Sequence, residues 1–529
     1  MNQNILKLFV EKGFLLDKEM LNFLNELSDE RVANEILNKI AMISQKKLIT
    51  KVLVSENLDK IKSILFELDD NKKKLVDKHF SENIILLNSS LEVIKENKFN
   101  KNNINKNVEQ LPGRVKILSS PLIASQKLEV KDFLKHFKSR YNLMKGFLQQ
   151  RPELDNLISI DKITGNKEFC IIGIVNEKNI TKNKNIILEV EDLTGKIKVL
   201  INQNKEEIYT KGKEILLDDI IGFKCSGTRD FLFVNDFFYP DSHISEKNKT
   251  EDEAYALFIS DIHVGSNNFL EKNFNNFIDW LNGEGSDEKQ KETLKKIKYM
   301  FVVGDTVEGI GVYPGQEKEL IIKDVKKQYE KLAEFYKRIP PHINIIQCAG
   351  QHDAVRVPEP QPPVSEDFAE ELNKMDNVYL VSNPSFIEIH GNDEKKGIRV
   401  LMYHGASMHG MITEIEELRL SNAHSSPTKV IKHMLLRRHL APTHGATTYI
   451  PNAKEDPMII KEVPDIITTG DLHRTDIDNY NGVLIISNSC WQSMTAFEEK
   501  VGNNPDPCKV PILNLKSREI KILDFSEDV

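Results

Sequence analysis

An apolar run that stops abruptly at Asp, His or Gly recurs five times between residues 256 and 473, and it sets the strongest limit on how this chain can fold. Ala256-Leu257-Phe258-Ile259 runs into Ser260-Asp261-Ile262-His263, Met300-Phe301-Val302-Val303 into Gly304-Asp305, and Ile343-Asn344-Ile345-Ile346 leads to Gly350-Gln351-His352-Asp353. Val400-Leu401-Met402 before Tyr403-His404-Gly405, and Asp465-Ile466-Ile467 before Gly470-Asp471-Leu472-His473, repeat the pattern. Each reads as a buried strand ending at a turn. With helical stretches such as Ile322 to Tyr336 between them, the blocks predict a layered α/β unit. Its polar side chains would gather at C-terminal strand ends, along one sheet edge.

Taken singly, a Gly-Asp after a strand is an ordinary turn and a lone His is a hydrogen-bonded core or surface residue. Taken as an ordered series, the blocks supply oxygen and imidazole donors for two divalent cations about 3.5–4 Å apart, with one carboxylate between them. The series resembles the calcineurin-like metallophosphoesterase superfamily, whose motifs read Asp-x-His, Gly-Asp, Gly-Asn-His-Asp, His and Gly-His-x-His. Carried over by position, the resemblance implies that Asp261, His263, Asp305 and His473 hold one cation. Asp305 would bridge to a second, held by Gln351, His404 and Asp471. It further implies that His352 is a catalytic imidazole outside the ligand set, with Asp353 to orient it, and that the attacking water is acidified by the cations.

Two positions depart from the family pattern. Gln351 stands where Asn is usual, and Asp471 where the first His of the last block is usual. Both still offer an oxygen, and a hard anionic donor at Asp471 favours Mn²⁺, or Mg²⁺, over nitrogen-loving metals. If the loop after Gly470 is extended, Asp471 and His473 project to the same side and reach different cations. A turn-capping Asp471 is the plainer alternative.

The remaining chain is long enough, at 529 residues, for three or four units. Residues 1–75 carry apolar positions at helical spacing (Leu6, Phe9, Val10; Leu21, Leu24, Leu27; Val32, Ile36, Ile40), which predicts a small helical domain. Residues 76–113, Asn- and Lys-rich from Lys95 to Asn107, read as a flexible linker. Between Val130 and Gln150 a helix interleaves Lys131, Lys135, Lys138, Arg140 and Lys145 with Phe133, Phe137, Tyr141 and Phe147. A DNA-facing helix is conceivable there, but a solvated basic face is the preferred reading. From Glu168 to Tyr239 five short β-branched runs with an Asp192-to-Gly195 turn suit a small closed barrel of the oligonucleotide-binding type. Its second and third runs carry Glu189, Glu191 and Asp192, so it reads as a docking barrel for protein, not for single strands. With its preceding helix the barrel would occupy 114–240. A polar linker from Pro240 to Glu253 then leads to the phosphoesterase unit at 254–529.

The whole is thus expected to be a multidomain α+β protein. The formal net charge of −8 gives no general basic footprint for nucleic acid, so DNA affinity must be local or come from a partner. Cys170, Cys225, Cys348, Cys490 and Cys508 contain no Cys-x-x-Cys pair and read as reduced, partly buried thiols. No run approaches the roughly 20 apolar residues of a membrane span, and Met1-Asn2-Gln3-Asn4 lacks a basic leader, so an intracellular, cytoplasmic and nucleoid-associated location is expected.

A barrel followed by a phosphoesterase unit is the plan of replicative DNA polymerase B-subunits. Gly350 to Arg356, Arg438-His439-Leu440-Ala441-Pro442-Thr443 and Ser489-Cys490-Trp491-Gln492-Ser493-Met494-Thr495 resemble the small subunits of archaeal family-D DNA polymerases. That resemblance implies a 3′-to-5′ proofreading exonuclease and DNA-polymerase activity as part of a complex. The expected partners are a large polymerase subunit, in a heterodimer or heterotetramer, and a DNA primer 3′ end, with a sliding clamp as a further candidate. Two other readings stand beside it: a non-catalytic scaffold, if Gln351 and Asp471 prevent the second cation from binding, and a free-standing metallophosphoesterase, which leaves the barrel and the helical module unexplained.

Overall fold

The computed structural model describes residues 113–526 apart from 124–126, 166–167, 393–394, 453, 496–497 and 500–502, together with a two-residue parallel pairing of Leu15–Leu16 with Leu48–Ile49. The helical domain expected at 1–75 and nearly all of the linker expected at 76–113 lie outside the described residues.

Two six-stranded sheets face each other. In the first, β7 (Tyr255–Ile259), β8 (Ile297–Val303), β9 (Asn344–Cys348) and β10 (Val378–Val381) are parallel, and β16 (Lys509–Asn514) and β17 (Ile520–Asp524) extend it antiparallel beyond β7. In the second, β12 (Ile398–Met402), β13 (Ile466–Thr469) and β15 (Val483–Ser487) are parallel, flanked by antiparallel β14 (Asp476–Tyr480), β11 (Ser385–Ile389) and β1 (Val115–Ser119).

Strands β8 and β9 are buried along their whole length, which explains why they read as continuous apolar runs instead of alternating ones. Phe258, Phe301 and Ile346 from one sheet pack with Ile387, Val400 and Ile466 from the other. Each outer face is covered by helices. Those over the first sheet include α2 (Glu271–Leu281) and α3 (Val325–Lys337), and those over the second include α4 (Met408–Glu414) and α5 (Pro427–Arg437). Strand β1 pairs with β11, so residues 115–119 belong to the large sheet; the expected boundary at 114 had assigned them to the barrel.

Strands β2 (Phe169–Ile180), β3 (Ile186–Glu191), β4 (Lys196–Ile201), β5 (Ile220–Gly227) and β6 (Leu232–Phe238) close a barrel in the order β2-β3-β4-β6-β5. The Asp192 carboxylate accepts from the Thr194 and Gly195 amides at 2.7 and 3.0 Å and fixes the β3–β4 turn, and its other oxygen accepts from the Ile160 amide.

Helix α1 (Val130–Leu148) exposes Lys131, Lys135 and Lys138, the solvated basic face expected, and buries its other side. Tyr141, Met144 and Leu148 pack on Cys170, Ile172 and Ile220 of the barrel, and Arg140 is buried, donating to Asp456 at 2.6 Å and to the Pro442 carbonyl at 2.8 Å. Only Arg140 departs from that expectation, because Asp456 lies 316 residues away, beyond any local pattern. On the other side of the seam Arg437 donates to Asp219 of the barrel at 2.9 Å and to the Glu214 carbonyl at 2.6 Å. One buried Arg–Asp pair thus ties α1, and the other ties the barrel, to the two-sheet unit, and removing one partner of such a pair typically costs about 3–5 kcal/mol. All five cysteines are free and buried. Among the described residues no helix is long and apolar enough to cross a membrane.

Candidate metal centre

The five blocks converge where the C-terminal ends of β7, β8, β9, β12 and β13 meet. Because the first three strands belong to one sheet and the last two to the other, the site sits between two sheets and not along one edge. The approach is close. A Cβ on Gly304, whose φ is +78°, would stand 2.3 Å from His404 Nδ1, and one on Gly350 would stand 2.2 Å from Asp305 Oδ1.

Backbone strain concentrates here. Asp261, His263, Asp305, Asp471 and His473 all have φ between +47° and +68°, a left-handed conformation costing of order 1–3 kcal/mol for a side chain that rarely adopts it. The loops hold one another in it: the amides of Asp261 and His263 donate to the carbonyls of Gly304 and Asp305, and the Trp491 amide donates to the Asp261 carbonyl. The extended loop expected after Gly470 is therefore absent. Leu472 N instead donates to Gly470 O at 2.8 Å in a tight turn, which still sends Asp471 and His473 to different neighbours.

In one half of the site, Asp261, His263 and His473 bring donor atoms within 4.8 Å of one another. The His263 and His473 Nε2 atoms face each other at 3.3 Å, and His473 Nε2 lies 3.3 Å from Asp261 Oδ1. Each ring is held from behind through Nδ1, His263 by Glu308 and His473 by Glu498, at 2.9 and 2.8 Å. Those carboxylates are themselves anchored: Gln492 donates to Glu308, and the Thr495 amide and hydroxyl donate to Glu498. Carboxylate-backed imidazoles with Nε2 turned inward are the usual arrangement around a bound cation. Burial pushes the Glu308 carboxyl up, but the His263 ring overrides it and holds it at about 2.

In the other half, Asp261, Asp305 and His404 form a second group, which shares Asp261 with the first. Asp305 is turned toward His404 because its Oδ1 accepts the His352 amide at 2.8 Å. His404 Nδ1 meets only the Val303 carbonyl, at 2.8 Å, so Nδ1 carries the donated proton. His404 Nε2 lies 3.2 Å from Asp305 Oδ2 without hydrogen-bond geometry, and Gln351 Oε1 and Asp471 Oδ2 are likewise buried without a hydrogen-bond partner. Gln351 Nε2 donates to Asp471 Oδ1 at 3.0 Å. Burial opposes a charge on His404, yet Asp305, Asp261 and Asp471 together raise its pKa well above the ordinary imidazole value. Burial likewise opposes the Asp305 charge, and His404, His352 and His263 outweigh it. Buried donor atoms without hydrogen-bond partners, set among Asp261, Asp305 and Asp471, fit a divalent cation.

His352 stands beside His263, ring centroids 4.8 Å apart, with Nδ1 at 2.9 Å from the Glu308 carbonyl. Asp353 does not orient it. Its oxygens accept from Thr306 Oγ1 at 2.6 Å, Tyr329 OH and the Gly350 amide, bracing the loop beneath the site, so the orienting group is the Glu308 carbonyl. The sequence reading also missed Glu308, Glu498 and His409, the last placed with Nε2 3.4 Å from Asp471 Oδ2. Thr495-x-x-Glu498 carried a detectable signal, the reciprocal Thr/Glu pattern of a helix start.

Residues 256–477 match the family model of the DNA polymerase alpha/epsilon B-subunit. The DNA polymerase II small subunit of Pyrococcus abyssi is 38% identical over 397 residues, 74% of this chain and 62% of that relative. Its counterpart from Methanothermobacter thermautotrophicus is 36% identical over 400 residues, 75% of this chain and 80% of that relative. The one from Halobacterium salinarum is 32% identical over 401 residues, 75% of each chain. The chain thus spans less than two thirds of the Pyrococcus relative's length.

Proposed function

The chain belongs to the family of archaeal DNA polymerase II small subunits, and from that membership we propose that it is the nuclease-bearing subunit of a family-D replicative polymerase, removing nucleotides 3′-to-5′ from a primer end. The observation that carries this reading is the trio of buried, unpartnered atoms, Gln351 Oε1, His404 Nε2 and Asp471 Oδ2, opposite the carboxylate-backed pair His263 and His473. In this reading the two-sheet unit is a calcineurin-like metallophosphoesterase, and the barrel, whose third strand pairs with its fifth, is of the oligonucleotide-binding type.

Asp261, His263 and His473 would hold one cation and Gln351, His404 and Asp471 the other, with Asp305 also contributing its carboxylate. Two such cations, Mn²⁺ or Mg²⁺, would lower the pKa of a water and neutralise charge on the phosphodiester. The protein's own part is orientation and proton transfer. Glu308 and Glu498 fix the rings of His263 and His473 so that no rearrangement is needed when substrate arrives. His352, its Nδ1 proton tied to the Glu308 carbonyl, presents Nε2 as the atom that hands a proton to the departing 3′ oxygen.

A large polymerase subunit would dock on the chain and supply the basic DNA-binding surface that a net charge of −8 does not. Such work places the protein inside the cell, at the nucleoid. The scaffold reading has one observation in its favour, the Gln351-to-Asp471 hydrogen bond that closes the second half on itself.

The test is cleavage of a mismatched primer end by the chain assembled with its large subunit, with and without Mn²⁺. Mn²⁺-dependent release of 3′ nucleotides is expected. Intact primer under all conditions leaves the scaffold, and cleavage of small phosphodiesters only, with the primer end untouched, leaves a free-standing phosphoesterase.

A further inference from the structure

The half of the site around His404 contains one imidazole where the other half contains two, and the geometry points to His409 as its second nitrogen donor, an inference that rests on the two-cation reading above. His409 is the second residue of α4, half exposed at the mouth of the site, and its Nε2 lies 3.4 Å from Asp471 Oδ2. That separation is within ion-pair reach but exceeds the roughly 2.7–3.2 Å of an ordinary N–H···O hydrogen bond. None forms, and Asp471 Oδ2 is left buried without a hydrogen-bond partner. Two donors that share a cation behave in this way: each about 2.1 Å from the ion and at right angles around it, they stand about 3 Å apart with their lone pairs converging and not facing each other.

The other ring nitrogen supports the assignment. His409 Nδ1 lies 3.3 Å from His424 Nε2, the two rings 5.4 Å apart. A proton on His409 Nδ1, donated to His424, leaves Nε2 as the bare lone pair on the side of Asp471. This repeats in a different form what Glu308 and Glu498 do for the other two rings, an outer group holding Nδ1 while Nε2 faces the centre. With His409 included, the second half offers His404 Nε2, His409 Nε2, Gln351 Oε1 and oxygens of Asp305 and Asp471. A second nitrogen in that set shifts its preference from Mg²⁺ toward Mn²⁺.

The experiment is Mn²⁺ titration of the full chain, followed by elemental analysis and by electron paramagnetic resonance of samples with ¹⁵N-labelled histidine. Wild type is expected to take up two Mn²⁺, with two ¹⁵N couplings on the weaker-bound ion. His409→Ala is expected to weaken that ion about 10–100-fold, to remove one coupling, and to leave the tighter ion unchanged. His409→Gln, which can still hydrogen-bond Asp471 but has no imidazole, is expected to behave like His409→Ala. Two Mn²⁺ of unchanged affinity in His409→Ala overturn the inference, as does full recovery in His409→Gln, which would make the ring only an orienting group. A wild-type chain that binds fewer than two Mn²⁺ overturns the two-cation reading and this inference together, an outcome distinguishable from failure in the variants alone.

Discussion

Behind His263 and His473 stand two carboxylates, each anchored by further donors; behind His404 stands a backbone carbonyl, and beside it the Gln351 side chain donates to Asp471. The first half is therefore set before any ligand arrives, because each of its rings already has a fixed tautomer and a fixed direction. The second half carries its unmet demand in three orphaned atoms. On the two-cation reading, that difference means the two halves should fill in order. A cation should enter the carboxylate-backed half first and more tightly, and the Gln351–Asp471 hydrogen bond should yield only when the second one binds.

Asp305→Ala removes a carboxylate that faces His404 and anchors the His352 amide, and it should abolish cleavage while the fold and assembly with the partner persist. Retention of more than a small fraction of nuclease activity, with an unchanged circular dichroism spectrum, would show that the halves do not depend on it. His352→Ala should slow single-turnover cleavage by roughly 10²–10⁴-fold with cation content unchanged, as for the loss of a positioned acid. Loss of a metal ion in elemental analysis would instead make His352 a ligand.

Smaller effects test the asymmetry directly. Glu498→Gln should weaken the tighter ion by about 10–100-fold, since it disturbs the hydrogen bond at His473 Nδ1 and not a ligand itself. Equal weakening of both ions in a titration would erase the distinction between the halves. Asp471→Asn and Asp471→His should alter mainly which metal supports cleavage, the imidazole variant moving preference away from Mg²⁺. Unchanged metal affinity and cleavage in both would reduce Asp471 to a turn cap and strengthen the scaffold reading.

The strand ends were legible because a fully buried strand is an unbroken apolar run, and a run that stops at Asp or His marks where the chain surfaces into a polar site. The distribution of those strands over two sheets was not legible, since periodicity says nothing of which sheet a strand joins. Conformation at the motifs was hidden for a related reason. Asp471 and His473 are left-handed because loops from both sheets hydrogen-bond across the site, a tertiary constraint that overrides local alternation. Asp353 looked like the partner of its neighbour His352, yet its oxygens are taken by Thr306, Tyr329 and Gly350. Arg140 looked solvated because Asp456, its partner, is remote in sequence.

Strand β1 has a consequence for how the molecule comes together. It leaves the barrel as an insertion within the two-sheet unit, and its end is tied by a hydrogen bond between Ser120 and Ser382, 262 residues apart. During synthesis the barrel and the whole parallel part of the first sheet emerge before β11 exists to receive β1. Until then an apolar strand waits unpaired, and closing so long a loop is slow. Once formed, β1 covers the outer edge of β11, where an open strand would invite pairing between molecules. Fragments that begin at the barrel would leave that edge bare, so they should clump on refolding even though every residue of the candidate site is present.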